Sequence, residues 1–417
     1  MMHTAILPVI TKKRLTEVLF LQLRLLRWAA TAGDVREDGC RAWLQSVRRY
    51  RGQAKQIAAW VWGSENRYGP LERFAQGPVD AKRDWVRRLT EEAHRVLRCP
   101  RGGLQPFFEE QNAEDWQKEG AAFLRRFYEE FRGRGFPALL FCNPGDGPLS
   151  GQTFLDAFLR ANGHLCVCPA CDESSFHTVA RGGIRAEIDH YLPKSVYPHL
   201  AIHPFNLIPL CHACNSWTKG DRDPLAKAGG RCVLEDIWLP YRREEGLSRR
   251  TYLVVATTAE RSETQLGPIR PRESSVLPSW IESLSAIFDL PARWGRRTDM
   301  IGERLFRRMR GYLRIPFDTT GQLSQPEARG ILEELLATMH DEDLGREPDV
   351  FVMLWWLAKL IQEEFGLPED GSGTGGPLVE ELRDWSKETA TRAEALRLRG
   401  SEIWGLLVEG GSQDQRF

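Results

Sequence analysis

The chain has 417 residues and a mass of 47.6 kDa, more than one ordinary domain holds, so two or three domains with sizeable cores are expected. With 42% hydrophobic, 27% charged and 10% aromatic residues, 14 Trp among them, the composition excludes a disordered or fibrous protein. The 57 basic and 57 acidic residues cancel, so no bulk field holds the chain on nucleic acid or a membrane, and a polyanion would have to meet a local patch.

The predicted elements begin with a helix over 13–31, where Leu15, Val18, Leu19, Leu25, Leu26 and Ala29 share one face. Trp116, Phe123, Leu124, Phe127 and Phe131 repeat that spacing, and residues 1–142 read as a helical N-terminal domain. Pro137 to Cys142 reads as a short strand. The Gly/Pro-rich stretch Asn143 to Gln152 follows as a loop and domain boundary. It lacks both the lysine and the glycine spacing of a phosphate-binding P-loop. Residues 153–228 make a central module. Tyr252 to Thr257 reads as a strand and helical patterns return from 278, which makes 229–368 a mixed, mostly helical C-terminal domain. Glu369 to Pro377 is a linker by composition. After it, Leu378, Leu382, Trp385, Ala393 and Leu396 make an amphipathic helix, so 369–417 is a linker and a helix for packing or docking. The fold class is α+β, mostly α-helical.

The longest apolar run, Val350 to Ala358, ends at Lys359, far short of the roughly 20 residues that span a bilayer. No membrane span is expected. The opening MMHTAILPVITKKR lacks the basic-then-apolar order of a secretory signal, so the cytoplasm is the expected location. There the nine cysteines stay reduced, and clustered ones point to a metal before a disulfide.

Six of the nine histidines and five of the nine cysteines lie between 164 and 214. Cys168-Pro-Ala-Cys171 and Cys211-His-Ala-Cys214 are two C-x-x-C pairs. Each turn sets two thiolates on one side of a tight loop, and two such turns can close a tetrahedron around Zn²⁺. A structural zinc site is the functional reading; buried or redox-active cysteines are the other. Cys166 reads as a small core residue, with replacement of Cys168 as a ligand the alternative, and Cys40, Cys99, Cys142 and Cys232 read as structural. Between the pairs, Ala186 to Tyr191 reads as a strand containing Asp189-His190. A second short strand holds Asn206, and a short helix from Asn215 stops at Gly220, with Asn215 and Lys219 one turn apart.

The ordered set C-x-x-C, D-H-x-x-P, N-L-x-P-x-C-x-x-C-N and K-G-D resembles the HNH endonucleases of the zinc-containing ββα-metal branch, over about one seventh of the chain. Asn215 stands where many members carry a third His. The resemblance implies a central ββα-metal (HNH) module with a four-cysteine zinc site between helical domains. It also implies that Asn206 holds the His190 loop in orientation. Phosphodiester hydrolysis needs a base and a cation. A neutral imidazole suits the base, so His190 takes that role. Asp189 and Asn215 offer hard oxygen ligands that favour Mg²⁺ or Mn²⁺. Lys219 lies where a phosphate or transition-state contact could form, or at a solvated helix end, and Lys194 follows the D-H-x-x-P turn as a second phosphate contact. Among the other histidines, His203 is the alternative base, and His199 and His212 carry less weight.

Between 290 and 314 eight arginines, among them Arg293, Arg296, Arg297, Arg304, Arg307 and Arg308, face only Asp299 and Glu303, with aromatics interleaved. Such a stretch supplies phosphate contacts without sequence information, or forms the solvated face of an arginine-biased helix. The leading reading is a metal-dependent endonuclease acting on nucleic acid, DNA first. By resemblance it is a gated or partner-targeted effector of prokaryotic anti-phage defence, working with a protein such as an ATPase or a guide-loaded partner, or as a homo-oligomer. A restriction endonuclease of modified DNA is the rival within that class. A non-cleaving zinc-ribbon module that binds nucleic acid or a partner is the rival outside it.

Overall fold

The computed structural model describes residues 2–107, 113–137, 147–173, 186–227, 230–242, 246–257, 264–272, 276, 278–320 and 324–365. The expected strand over 137–142, residues 143–146 of the loop after it, the linker and the C-terminal helix lie wholly or largely outside these residues. Two compact units are present. Residues 3–170 and 176–244 make the first; the second runs from 245, with Met2 and 171–175. The helical segment and the cysteine-rich segment, expected as separate domains, therefore belong to one unit, and the division falls near 244.

The first unit opens with seven helices: α1 (Val9–Thr31), α2 (Glu37–Ser46), α3 (Ala54–Trp62), α4 (Glu65–Ala75), α5 (Val79–Arg98), α6 (Asp115–Arg132) and α7 (Gly151–Ala161). The predicted α1 face is fully buried, and all five predicted apolar positions of α6 are buried too. Glu114 and Gln117 form a reciprocal capping box that starts α6. Gly120 lets α6 approach its neighbours: a Cβ there would lie 2.7 Å from the Trp85 ring and 2.9 Å from that of Phe74. α7 is capped by Ser150, whose hydroxyl accepts from the Thr153 amide at 3.2 Å.

Two short strands, β1 (Ala186–His190) and β2 (Leu207–Cys211), pair antiparallel with Asp189 opposite Ile208 and His190 opposite Leu207. β2 is buried along its whole length. A single π-helical segment, Ala213–Lys219, follows and ends at Gly220, whose φ of +48° lies in the region that favours glycine. Two strands and a helix were expected here, but β2 begins one residue after Asn206, which the sequence reading placed in the strand, and the helix begins two residues before Asn215. A small hairpin of β3 (Ala226–Lys227) and β4 (Gly230–Arg231) follows.

The second unit contains the antiparallel pair β5 (Thr251–Thr257) and β6 (Thr264–Pro271), with an irregularity between Leu253 and Val255. Its helices are α8 (Pro278–Phe288), α9 (Leu290–Gly295), α10 (Thr298–Thr320), α11 (Gln325–Thr338) and α12 (Val350–Phe365). The apolar run of α12 is the core of this unit, with Phe351 to Met353 and Leu357 wholly buried. No helix among the described residues is long and apolar enough to cross a membrane. The mainly helical content with small antiparallel pairs agrees with an α+β, mostly α-helical fold.

Candidate functional site

Cys168, Cys171, Cys211 and Cys214 come together as predicted. All four are buried, and their sulfur atoms lie within 4.8 Å of one another. Four thiolates about 2.3 Å from one zinc ion would sit roughly 3.8 Å apart in a tetrahedron, so this cluster has the size and chemistry to hold a metal such as zinc. Backbone amides already face the sulfurs: Cys211 N lies 3.4 Å from Cys168 Sγ, and Glu173 N 3.5 Å from Cys171 Sγ. Cys166, Cys40 and Cys232 are not part of the cluster.

An open cleft of about 790 Å³ gathers Asp189, His190, Lys194, Asn215 and Lys219, all singled out in the sequence, with Tyr128, Arg132, Gln152, Glu187 and Ser216. His190 ends β1 and is buried. Its Nε2 lies 2.9 Å from the Ala201 carbonyl oxygen. A carbonyl only accepts, so Nε2 carries the proton and Nδ1 keeps its lone pair. Burial pushes the imidazole pKa down to about 3, and Lys194 acts in the same direction, which keeps the ring neutral. Asn206 fixes the loop that holds it. Its Oδ1 accepts from Leu192 N at 2.7 Å, while its Nδ2 donates to the Leu192 and Leu200 carbonyls at 2.9 and 3.0 Å. Asn206 is fully buried and lies outside the cleft lining, so it acts through the loop.

Asp189 is buried, and burial pushes its carboxyl up to about 6 against the pull of Lys219. Lys219 Nζ donates to Asp189 Oδ1 at 3.1 Å, and both side chains are at most 5% exposed. This places Lys219 differently from a solvated helix end or a phosphate hook: its charge is taken up by a buried carboxylate. Asp189 Oδ2 is buried with no hydrogen-bond partner. Asn215 Nδ2 donates to Glu187 Oε2 at 2.5 Å, which sets the amide's orientation and leaves Oδ1 for another partner. His212 Nδ1 and Ser216 Oγ hold the same carboxylate at 2.7 and 3.2 Å. Burial alone would raise the Glu187 carboxyl, but these hydrogen bonds hold it below its ordinary value.

His203 is buried, with Nε2 3.2 Å from the Ala93 carbonyl and Nδ1 accepting from Phe205 N at 3.2 Å. Both nitrogens are engaged, which removes it as an alternative base. His199 packs 3.2 Å from Glu92 of α5. His212 is exposed and orients Glu187.

The six arginines expected to meet nucleic acid are each paired with an acid. Arg293 lies 2.5 Å from Glu173, Arg297 and Arg304 lie 2.9 and 2.6 Å from Asp349, and Arg308 lies 2.8 Å from Asp343. Arg296 faces Asp289 at 3.5 Å and Arg307 faces Glu303 at 2.5 Å. Apart from Glu303, these acids lie outside the stretch, so the local excess of charge is largely cancelled on folding.

Glu187, Tyr128 and Arg132 are among the cleft residues that escaped the sequence reading, as did Trp217, which lies outside the cleft lining. Glu187 was legible, because two residues before Asp189 on a strand means the same face. Tyr128 and Arg132 come from α6, far away in the chain. Trp217, between Asn215 and Lys219, is 78% exposed and meets the His212 ring at 5.2 Å.

No protein-family model and no solved structure matches the chain. Among curated proteins it is 35% identical over 69 residues to protein ea31 of Escherichia phage lambda. That match covers 16% of this chain and 20% of the phage protein, so the chain spans about a fifth of the relative's length.

Proposed function

We propose that the chain is an HNH-type endonuclease that hydrolyses nucleic-acid phosphodiesters, DNA first, with zinc in the four-cysteine cluster as a structural ion. The observation that carries this reading is an imidazole with a fixed tautomer, in one cleft with a buried carboxylate oxygen that has no partner. His190 Nδ1 takes the proton of a water whose oxygen attacks phosphorus, and the 3′ oxygen leaves. Asp189 Oδ2 and Asn215 Oδ1 are hard donors that suit Mg²⁺ or Mn²⁺, which would supply the positive charge that stabilises the leaving oxygen. Asn206 keeps the His190 loop in place, Glu187 orients Asn215, and Lys219 keeps the Asp189 carboxylate ionised. By the sequence resemblance, products carry 5′-phosphate and 3′-hydroxyl ends.

A buried carboxylate oxygen without a partner is costly, and a module that only binds has no use for it. This argues against the non-cleaving zinc-ribbon reading. The role of a gated or partner-targeted effector in anti-phage defence rests on the sequence resemblance alone. The test is cleavage of plasmid and single-stranded DNA by the full chain over a titration of Mg²⁺ and Mn²⁺, with RNA in parallel. Metal-dependent scission lost in His190→Ala supports the reading. Scission equally strong in that variant, or present in excess chelator, overturns it.

A further inference from the structure

We propose that helix α6, outside the motif-bearing segment, builds one wall of the active site: Tyr128 positions His190, and Arg132 with Lys194 clamps a substrate phosphate. This rests on the nuclease reading for its substrate class.

Tyr128 is 4% exposed and presents its ring to the His190 imidazole, with centroids 4.1 Å apart at 68°. Its hydroxyl donates to the Ile188 carbonyl at 3.1 Å, which ties α6 to β1. The imidazole is thus held by the Ala201 carbonyl and by an aromatic ring. Burial pushes the phenol up to about 12, so it remains a donor throughout the working pH range.

The cleft lining carries three carboxylates, Glu187, Asp189 and Asp221, which repel an approaching phosphodiester. Lys219 cannot offset this alone, because it is buried against Asp189. The compensating charges come from Arg132 of α6 and from Lys194, which line the same cleft. Lys194 Nζ sits 4.6 Å over the Tyr128 ring, and neither cation has a carboxylate within ion-pair distance among the described residues. Neighbouring cations differ in this respect: Arg126 pairs with Glu129 at 2.7 Å and Arg67 with Glu130 at 3.1 Å. Burial lowers the Lys194 pKa, and Arg132 lowers it further while Glu129 and Asp221 pull the other way, so the two cations work against each other. A phosphate between them relieves that repulsion. The ligand class is a nucleic-acid backbone phosphate next to the scissile one, read without regard to base.

The experiment measures binding of a fluorescein-labelled DNA duplex, and of the same sequence as a single strand, to the full chain across a salt series. A His190→Ala background prevents cleavage. Arg132→Gln and Lys194→Gln should each lower the slope of log affinity against log salt by about one, and the double variant by about two. Arg36→Gln, an exposed arginine paired with Asp34, should leave the slope unchanged. With His190 intact, Tyr128→Phe, which keeps the ring against His190, should cleave faster than Tyr128→Leu. Tyr128→Leu should lower kcat at least tenfold with KM little changed, while its thermal melt and DNA affinity match the wild type, which separates positioning from a smaller folded fraction. An unchanged slope in the double variant overturns the clamp, and equal cleavage by Tyr128→Leu overturns the positioning role. In both cases metal-dependent cleavage by the wild type would leave the nuclease reading standing. A clamp-dependent slope in a chain that never cleaves would uphold the phosphate site and sink the nuclease reading.

Discussion

Cys214→Ser replaces one of four buried sulfur ligands by an oxygen that is not a thiolate at neutral pH. Structural zinc sites in small peptides contribute about 10–16 kcal/mol at neutral pH. If the four sulfurs of this cluster share that evenly, one contributes roughly 3 kcal/mol, or about 100-fold in zinc affinity. The consequence for stability is smaller than in a zinc finger, because α6, α7 and the buried strand β2 give the first unit an apolar core of its own. The metal ties 168–171 to the end of β2 and the start of the 213–219 helix, the segment that carries Asn215 and Lys219. The variant should therefore keep most of its helix content and lose cleavage activity together with zinc. Zinc per chain is measured after chelator dialysis, and affinity by competition with a chromogenic chelator. Cys166→Ser, Cys40→Ser and Cys232→Ser are the controls and should keep one zinc per chain. Lowering pH should release zinc from the wild type, because each ligand must be a thiolate. Full zinc occupancy and unchanged chelator competition in Cys214→Ser would refute the four-sulfur site.

Other perturbations separate the roles within the cleft. His190→Ala should reduce single-turnover cleavage about 10²–10⁴-fold with substrate binding nearly intact, and extra Mn²⁺ should not restore it. Asp189→Ala should be as slow, and rescue of it by Mn²⁺ but not of His190→Ala is the measurement that tells ligand from base. Lys219→Met leaves Asp189 buried without its partner, so thermal and urea melts should show a loss of about 3–5 kcal/mol; a raised KM with unchanged stability would return Lys219 to a phosphate role. Arg304→Gln and Arg308→Gln should lower stability by about 1–3 kcal/mol while DNA affinity stays within about twofold, because both are paired with acids. Trp217→Ala should change stability by less than about 0.5 kcal/mol and weaken nucleic-acid binding by about 1–3 kcal/mol if its exposed ring stacks on a base.

What was legible in the sequence was what spacing alone determines. Two C-x-x-C turns each place two sulfurs by local geometry, and the fold brings all four together. Asp189, His190, Asn206 and Asn215 sit at strand ends and helix starts, so their order along the chain already constrains their meeting. The helical faces of α1 and α6 follow from period alone. Contacts made across long sequence separations were not legible. Tyr128 meets Ile188 from 60 residues away, and nothing in the pattern of α6 distinguishes it from an ordinary core aromatic. The expected boundary after 142 falls inside one compact unit. The loop is rich in Gly and Pro, but α6 and α7 on either side of it belong to one unit with β1.

The arginines show why a charge count along a chain misjudges a folded surface. Between 290 and 314 only two acids were in view, yet Glu173, Asp343 and Asp349 arrive from elsewhere and meet Arg293, Arg308, Arg297 and Arg304. A cation with a buried acid partner gains little from a phosphate, since it must give up one anion to take another. Arg132 and Lys194 are the reverse case. Each stands among residues of mixed charge in the sequence, but the fold brings both to one cleft, where neither lies within ion-pair distance of a carboxylate among the described residues. Affinity for a polyanion follows from cations left unpaired after folding, and two such cations, Arg132 and Lys194, line the same cleft as His190.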